Sequence, residues 1–338
     1  MKKNLIPAAV LMAFAGAAQA QLSLYGLVDM SYGKSLFGDV FLAEKADFHS
    51  GGDNGSSEGN STTRVGIKGG VDLGSGVKAN FRFETGGINS DGGVNGGGNF
   101  FDRQAWFGFS GNFGEVRLGR QDSVSFQTMI DYDFNGASNG LSALGYTLTA
   151  PWLPLRQSRS LQYISPNLGG FTAQLGLVPK GNRGSGANNV FSAGLKYGTG
   201  PLSVAVSMQT KENSAAQRFM SAAGSYDFKV AKLMLGYADG GDFNKGGTGS
   251  GFSAGLVAPV GNFNVGVLLA QNTDDDLKLR GAEVFVNSEI FKSTYAYAEF
   301  GNWKTSKAAN PLVSRIGSDP ANAQRSGSGF AVGVIYVF

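Results

Sequence analysis

Lys78, Asn80, Arg82 and Glu84 occupy one parity of the stretch "VKANFRFET", and Ala79, Phe81 and Phe83 occupy the other. Successive side chains of a strand leave on opposite faces, so a period of two with that contrast predicts a half-buried strand. The pattern recurs. "FNVGVLLAQ" sets Phe263, Val265, Val267 and Leu269 against Asn264, Gly266, Leu268 and Ala270. "LSVAVSMQ" sets Leu202, Val204, Val206 and Met208 against Ser203, Ala205, Ser207 and Gln209. "FTAQLGLV" behaves alike, with Phe171, Leu175 and Leu177 on one parity. The last ten residues, "GFAVGVIYVF", carry no charge and place Phe330, Val332, Val334, Tyr336 and Phe338 together, with mostly small residues opposite.

Followed along the chain, the alternation predicts strands at 21–33, 62–73, 77–87, 99–111, 115–121, 158–166, 171–179, 189–197, 202–212, 217–227, 231–239, 250–259, 263–273, 276–287, 291–303 and 328–338. The connections alternate in length. "GSG" at 74–76, "NFG" at 112–114, "NLGG" at 167–170, "GTGP" at 198–201 and "VGN" at 260–262 are tight turns; 34–60, 88–98, 122–157, 240–249 and 304–327 are long and polar. That is an up-and-down antiparallel order. Strands of roughly 9–11 residues cross a membrane when tilted by about 45°, and an even strand number is the rule for single-chain barrels. An open sheet of this size would expose two edges, and in hydrocarbon each unpaired backbone group costs several kcal/mol, so the sheet must close. Closure requires "QLSLYGLVDM" to pair with "GFAVGVIYVF". The expected fold is all-β: a 16-stranded antiparallel transmembrane β-barrel with short periplasmic turns and long extracellular loops. The uncharged tail then faces lipid or a neighbouring barrel, and Phe338 lies at the headgroup boundary, where aromatic rings are favoured. The rival fold, a soluble β-sandwich, buries its apolar faces against each other and does not call for strictly alternating turn lengths.

Composition sharpens this picture. The 338 residues include 53 glycines and only 9 prolines; average glycine usage is about 7%. Tight turns and strands with a small-residue face account for that excess. Aromatics at 12% exclude a disordered chain. With no cysteine, neither a disulfide framework nor a thiolate metal site exists. Lys and Arg number 28 against 25 Asp and Glu, a balance that gives no sign of a nucleic-acid partner. The opening "MKKNLIPAAVLMAFAGAAQA" has Lys2 and Lys3, an apolar run from Leu5 to Ala15, and Ala18-Gln19-Ala20 before Gln21. That is a secretory signal peptide over 1–20, leaving 21–338 as the barrel domain. A short membrane anchor is the competing reading; the brevity of the run and the missing stop-transfer pattern count against it.

Candidate chemistry is sparse. His49 is the one histidine, in "DFHSGGDNGSSEG", and reads as solvated loop surface. A single histidine leaves no Ser-His-Asp enzyme and no multi-histidine metal site to build, and no cofactor is expected. Asp53 and Glu58 offer oxygen ligands for calcium, but without a fixed-spacing loop a surface position is the default. Asp274, Asp275 and Asp276 in "TDDDLK" suit either a solvated turn or a divalent ion bridging lipopolysaccharide.

"SLYGLVDM", "TRVGIKGGVDLGSGVKANFRFETG", "FDRQAWFGFSGNFGEVRLGRQD", "LQYISPNLGGF" and the terminal "AVGVIYVF" together resemble the trimeric general porins of the Gram-negative outer membrane. The resemblance implies a homotrimer in that membrane, passage of small hydrophilic solutes, a third loop folded into the pore, and recognition of the C-terminal aromatic by the barrel-assembly machinery. It also implies a constriction. Arginines that begin strands 2, 4 and 6 in such porins match Arg64, Arg103 and Arg159, and a family glutamate matches Glu84. Arg82 joins them by its inward parity with Lys78 and Glu84. Loop 3, which begins at "DSVSFQTMIDYDF", supplies Asp122, Asp131 and Asp133. Its apolar middle is suited to packing inward. Arg120 shares parity with Val116 and Leu118 and so points away from the lumen. The expected activity is passive diffusion with a weak anion preference. The alternatives are a channel selective for one anionic solute, such as a carboxylate or phosphate, and a structural or adhesion protein.

Overall fold

The computed structural model describes residues 21–35, 45–94, 99–133, 135–136, 138–139, 155–181, 184–213, 217–241, 249–274, 277–306 and 326–338. The expected signal peptide at 1–20, the far part of loop 3 at 140–154, and Asp275 and Asp276 lie outside the described residues.

The strands, in chain order, are β1 (Gln21–Lys34), β2 (Asp47–Ser50), β3 (Arg64–Gly74), β4 (Val77–Gly86), β5 (Gln104–Gly111), β6 (Gly114–Asp122), β7 (Arg156–Ile164), β8 (Phe171–Val178), β9 (Val190–Thr199), β10 (Leu202–Gln209), β11 (Phe219–Asp227), β12 (Lys232–Asp239), β13 (Ser250–Val260), β14 (Phe263–Asp274), β15 (Leu277–Phe291), β16 (Thr294–Thr305) and β17 (Ser326–Val337). From β3 to β17 each pairs antiparallel with the next. The ring closes through β1, which pairs with β17 from Leu27↔Val337 to Lys34↔Phe330 and with β3 from Gln21↔Gly70 to Leu27↔Arg64. The short β2 belongs to the first long loop and covers the edge of β1 at Met30–Gly33, beyond the reach of β3. Without it, sixteen strands make the wall.

The wall inverts the usual distribution of polarity. Leu24, Phe107, Leu175, Leu269 and Val332 are exposed, whereas Gln121, Ser160, Gln162, Ser192 and Ser207 are buried. Large apolar side chains face outward because hydrocarbon solvates that face. An exception lies on the inner parity of β12, β14 and β15, where Met234, Leu268, Ala270 and Phe285 form a buried apolar group.

Two boundaries differ most from the sequence expectation. Residues 99–103 precede β5, which starts at Gln104. β15 runs on to Phe291, and the turn falls at Lys292 and Ser293, the latter at φ 58°. A bulge between Glu289 and Phe291 breaks the alternation there, and Ser288-Glu289-Ile290, expected in the connection, is strand.

After β6 the chain forms a short helix, α1 (Val124–Met129), then a 3-10 turn at Ile130–Tyr132. The Ser123 hydroxyl accepts the Phe126 N–H at 3.1 Å and caps α1. This segment lies inside the barrel. Val124 and Met129 are fully buried, and α1 rests on the inner wall where Gly176 of β8 and Gly194 of β9 leave room. A Cβ at Gly194 would lie 2.7 Å from Thr128 and 2.9 Å from Val124. The Tyr132 hydroxyl meets Ser203 Oγ of β10 at 2.8 Å.

Candidate functional site

The strands β1, β3, β4 and β5 lie well round the ring from β8–β11, which carry α1. Alternation on β4 points Arg82 and Glu84 into the lumen. Glu84 is buried and organises the group. Its carboxylate accepts Arg103 Nε at 2.5 Å, Arg82 Nη2 at 2.6 Å and the Tyr25 hydroxyl at 2.7 Å. Arg82 Nε in turn donates to the Tyr25 oxygen at 2.6 Å, and its guanidinium lies 5.0 Å from the Tyr25 ring centre. Lys68 approaches the same ring at 5.1 Å. Arg103 enters from just ahead of β5, fixed by its own N–H to the Glu84 carbonyl at 3.2 Å.

Arg64 opens β3 beside this group, within electrostatic range of Arg103, Arg82 and Glu84. Its Nη1 donates to Ser61 Oγ at 3.3 Å and the Thr62 carbonyl at 3.1 Å, and no carboxylate among the described residues pairs with it. Arg156, at the start of β7, completes the cluster within range of Arg103 and Glu84. It stands 3.2 Å from Asp122, too poorly aligned for a hydrogen bond.

Arg159 does not join them. The β6–β7 register slips between Gly119 and Gln121, and Arg159 sits in that bulge at φ 58° with its side chain exposed. Sequence parity cannot be carried through a bulge, since the extra residue resets which face each side chain takes. Arg156 therefore stands where Arg159 was expected. Tyr25 was also missed, although its parity with the buried Asp29 on β1 was a usable signal.

The loop-3 carboxylates separate. Asp122 stays with the arginines through Arg156. Asp131 is largely exposed and pairs with Lys196 Nζ of β9 at 2.7 Å. Asp133 is buried in a different cluster, near Glu283 of β15. There Asn135 Nδ2 donates to Glu283 and Glu299, each at 2.6 Å, while Ser138 and Asn60 donate to Glu299 at 3.0 and 2.9 Å. The bonds from Asn135 and Ser138 fasten loop 3 across the lumen to β15 and β16, and that from Asn60 ties loop 1 to β16.

Loop 1 also departs from expectation. His49 is mostly covered, with ring nitrogens 3.9 Å from Asp53 and 3.9 Å from Glu58. Asp53 accepts the N–H groups of Ser50 at 2.7 Å and Ser90 at 3.0 Å. Burial pushes its carboxyl up, but a hydrogen bond from the Ser90 hydroxyl together with these two outweighs it and holds the group below the usual range. Among the described residues no cluster of three or more His, Asp or Glu is placed to hold a metal ion.

A lumen lined in this way favours diffusion over chemistry. Four guanidiniums, Arg64, Arg82, Arg103 and Arg156, stand with three carboxylates, Glu84, Asp102 and Asp122, on one side of an aqueous passage. Low-dielectric walls focus such a field and raise the local concentration of the favoured ion without tight binding.

The comparisons with known proteins agree. A profile of Gram-negative porins matches residues 8–308. An outer membrane porin protein of Bordetella pertussis is 34% identical over 297 residues, covering 78% of this chain and 75% of its own. Outer membrane porin protein 32 of Delftia acidovorans is 33% identical, covering 69% and 68%. The solved anion-selective porin from Comamonas acidovorans superposes with a TM-score of 0.75 at 26% identity, over 95% of this chain and all of the other. The in-vitro folded OmpT of Vibrio cholerae, solved in a trimer form, shares the fold at a TM-score of 0.63 and 12% identity. The chain belongs to the Gram-negative porin family and is an outer-membrane channel for the passive diffusion of small solutes.

Proposed function

We propose that the channel prefers anions and that Arg64, Arg82, Arg103 and Arg156 set the preference at the throat between the β3–β5 wall and α1. The carrying observation is the imbalance of charge: Glu84 is shared by Arg82 and Arg103, Asp122 faces Arg156, and Arg64 has no carboxylate of its own. The anion selectivity named for the Comamonas acidovorans porin supports the same sign. The working unit is a homotrimer without catalytic activity. It sits among outer-membrane lipid and lipopolysaccharide, having been assembled through its C-terminal Phe338. Reversal potential in a salt gradient tests the preference. Removing one unit charge at roughly 7 Å in a water-like dielectric is worth about 0.6 kcal/mol, or about threefold in the permeability ratio. Arg64→Ala is expected to lower anion over cation permeability by that factor. An unchanged reversal potential would remove Arg64 from the throat.

A further inference from the structure

His49, the single histidine of the chain, sits on β2 in the first long loop, opposite Ser31 of β1. Its two ring nitrogens face two different carboxylates, Nδ1 toward Asp53 Oδ2 and Nε2 toward Glu58 Oε2, each 3.9 Å away. Both gaps are too wide for hydrogen bonds, and Nε2 is buried with no hydrogen-bond partner among the described residues. The same turn of loop 1 grips loop 3. Asn139 Nδ2 donates to the carbonyls of Gly51 at 3.1 Å and Glu58 at 3.0 Å, and the Asn139 N–H donates to the Asn60 carbonyl at 2.9 Å. The Thr62 hydroxyl completes the grip by donating to Asn139 Oδ1 at 3.0 Å. Glu58 belongs to both contacts: its side chain faces the imidazole and its carbonyl holds loop 3.

We infer that His49 is a proton-operated clasp: mild acid charges the ring, draws Asp53 and Glu58 onto it, tightens loop 1 and so fixes loop 3 in the lumen. A neutral imidazole has one N–H and can serve one carboxylate. An imidazolium has two, which matches the carboxylate found at each nitrogen. Histidine makes that change between about pH 8 and 5. Asp53 keeps its charge across this range: burial raises its carboxyl, but the hydrogen bonds from Ser90 and Ser50 hold it below the usual value. The other titratable groups around the turn are Asp47 on the same strand, Asp91 beside Ser90, Asp29 of β1, and Tyr297 and Glu299 of β16. A Cβ at Gly59 would lie 3.0 Å from Asp29 and 3.1 Å from Tyr297, and Glu299 reaches the turn through Asn60. None of these groups is a cation that would oppose the imidazolium. The clasp acts on the freedom of loop 3 and does not depend on the sign of the ion preference.

Hydrogen–deuterium exchange of the detergent-extracted protein, read by mass spectrometry at pH 8 and pH 5 and corrected for intrinsic rates, tests this, because exchange reports local opening. In the wild type, the peptides spanning His49 to Thr62 and Asp133 to Asn139 should exchange about tenfold more slowly at pH 5, the scale of one charge-assisted hydrogen bond. His49→Gln should abolish the difference in both peptides. Glu58→Gln keeps the ring and removes one carboxylate; it should shrink the difference, and it replaces His49→Gln should that variant not assemble. At pH 8, where the clasp is open, a single-channel conductance equal to the wild type's certifies an intact barrel in these two variants. Asn139→Ala should keep the slowing in loop 1 and lose it in loop 3. Equal exchange at the two pH values in the wild type would overturn the inference. So would a slowing that survives His49→Gln, which would assign it to the buried carboxyls Asp29, Glu283 and Glu299, and so would a loop-3 response that survives Asn139→Ala.

Discussion

Glu84 illustrates how one buried side chain governs several exposed ones. It is 2% exposed, yet Arg82, at 36%, and Arg103, at 17%, both take their orientation from it. Neutralising the carboxylate would add one net positive charge to the wall while leaving a hydrogen-bond acceptor in place. Glu84→Gln is therefore expected to raise anion over cation permeability by about threefold, by the same reckoning of one charge at roughly 7 Å in a water-like dielectric. Reversal potentials measured beside the wild type decide it. A fall in anion preference would mean that Glu84 acts by posing the arginines and that its charge hardly counts. At this scale the sequence was legible wherever a strand was regular. Parity alone turned Arg82 and Glu84 inward. The match to the family's strand-6 arginine failed at Arg159, where one inserted residue handed the position to Arg156. Parity also gave no account of His49, because a loop has no period to read and its wedging between Asp53 and Glu58 depends on the fold of the loop.

The helix α1 shows the same limit among elements. Its apolar residues foretold that loop 3 would pack inward, but nothing local indicated where. The receiving surface comes from β8 and β9, and its chief feature is the missing side chains of Gly176 and Gly194. Glycine in a strand interior ordinarily weakens the strand; here it makes room for a helix that narrows the channel. Gly194→Val would put atoms where Thr128 and Val124 already lie, and overpacking of this kind costs typically 1–3 kcal/mol. The helix has only one direction in which to yield, away from β9 and toward the arginine wall. Single-channel conductance should therefore fall for Gly194→Val, while substitutions at outward positions of β9 leave it unchanged. A conductance equal to the wild type's would mean that α1 does not bound the narrowest part of the passage.

For the molecule as a whole, the readable feature was closure. Two uncharged or nearly uncharged ends can both be satisfied in a membrane by pairing with each other, and they do. Gly26 exchanges backbone hydrogen bonds with Phe338 at 3.0 and 3.1 Å, and the absence of a side chain on Gly26 admits the Phe338 ring. Closure is also what makes the charges inside matter, because it sets them around water with hydrocarbon behind them. Selectivity that arises from such a field has a signature that steric sieving lacks: it depends on ionic strength. The Debye length is about 10 Å at 0.1 M salt and about 3 Å at 1 M, so the arginines act across the throat in the first condition and over little more than contact distance in the second. In potassium chloride, whose two ions have nearly equal mobilities in water, the anion over cation permeability ratio should be highest in dilute salt. It should decline toward unity as the salt approaches 1 M, and the difference between wild type and Arg64→Ala should shrink with it. A ratio that stayed constant over that range would mean that ions are chosen by size or by tight contact, and the screened field of the throat would not be the mechanism.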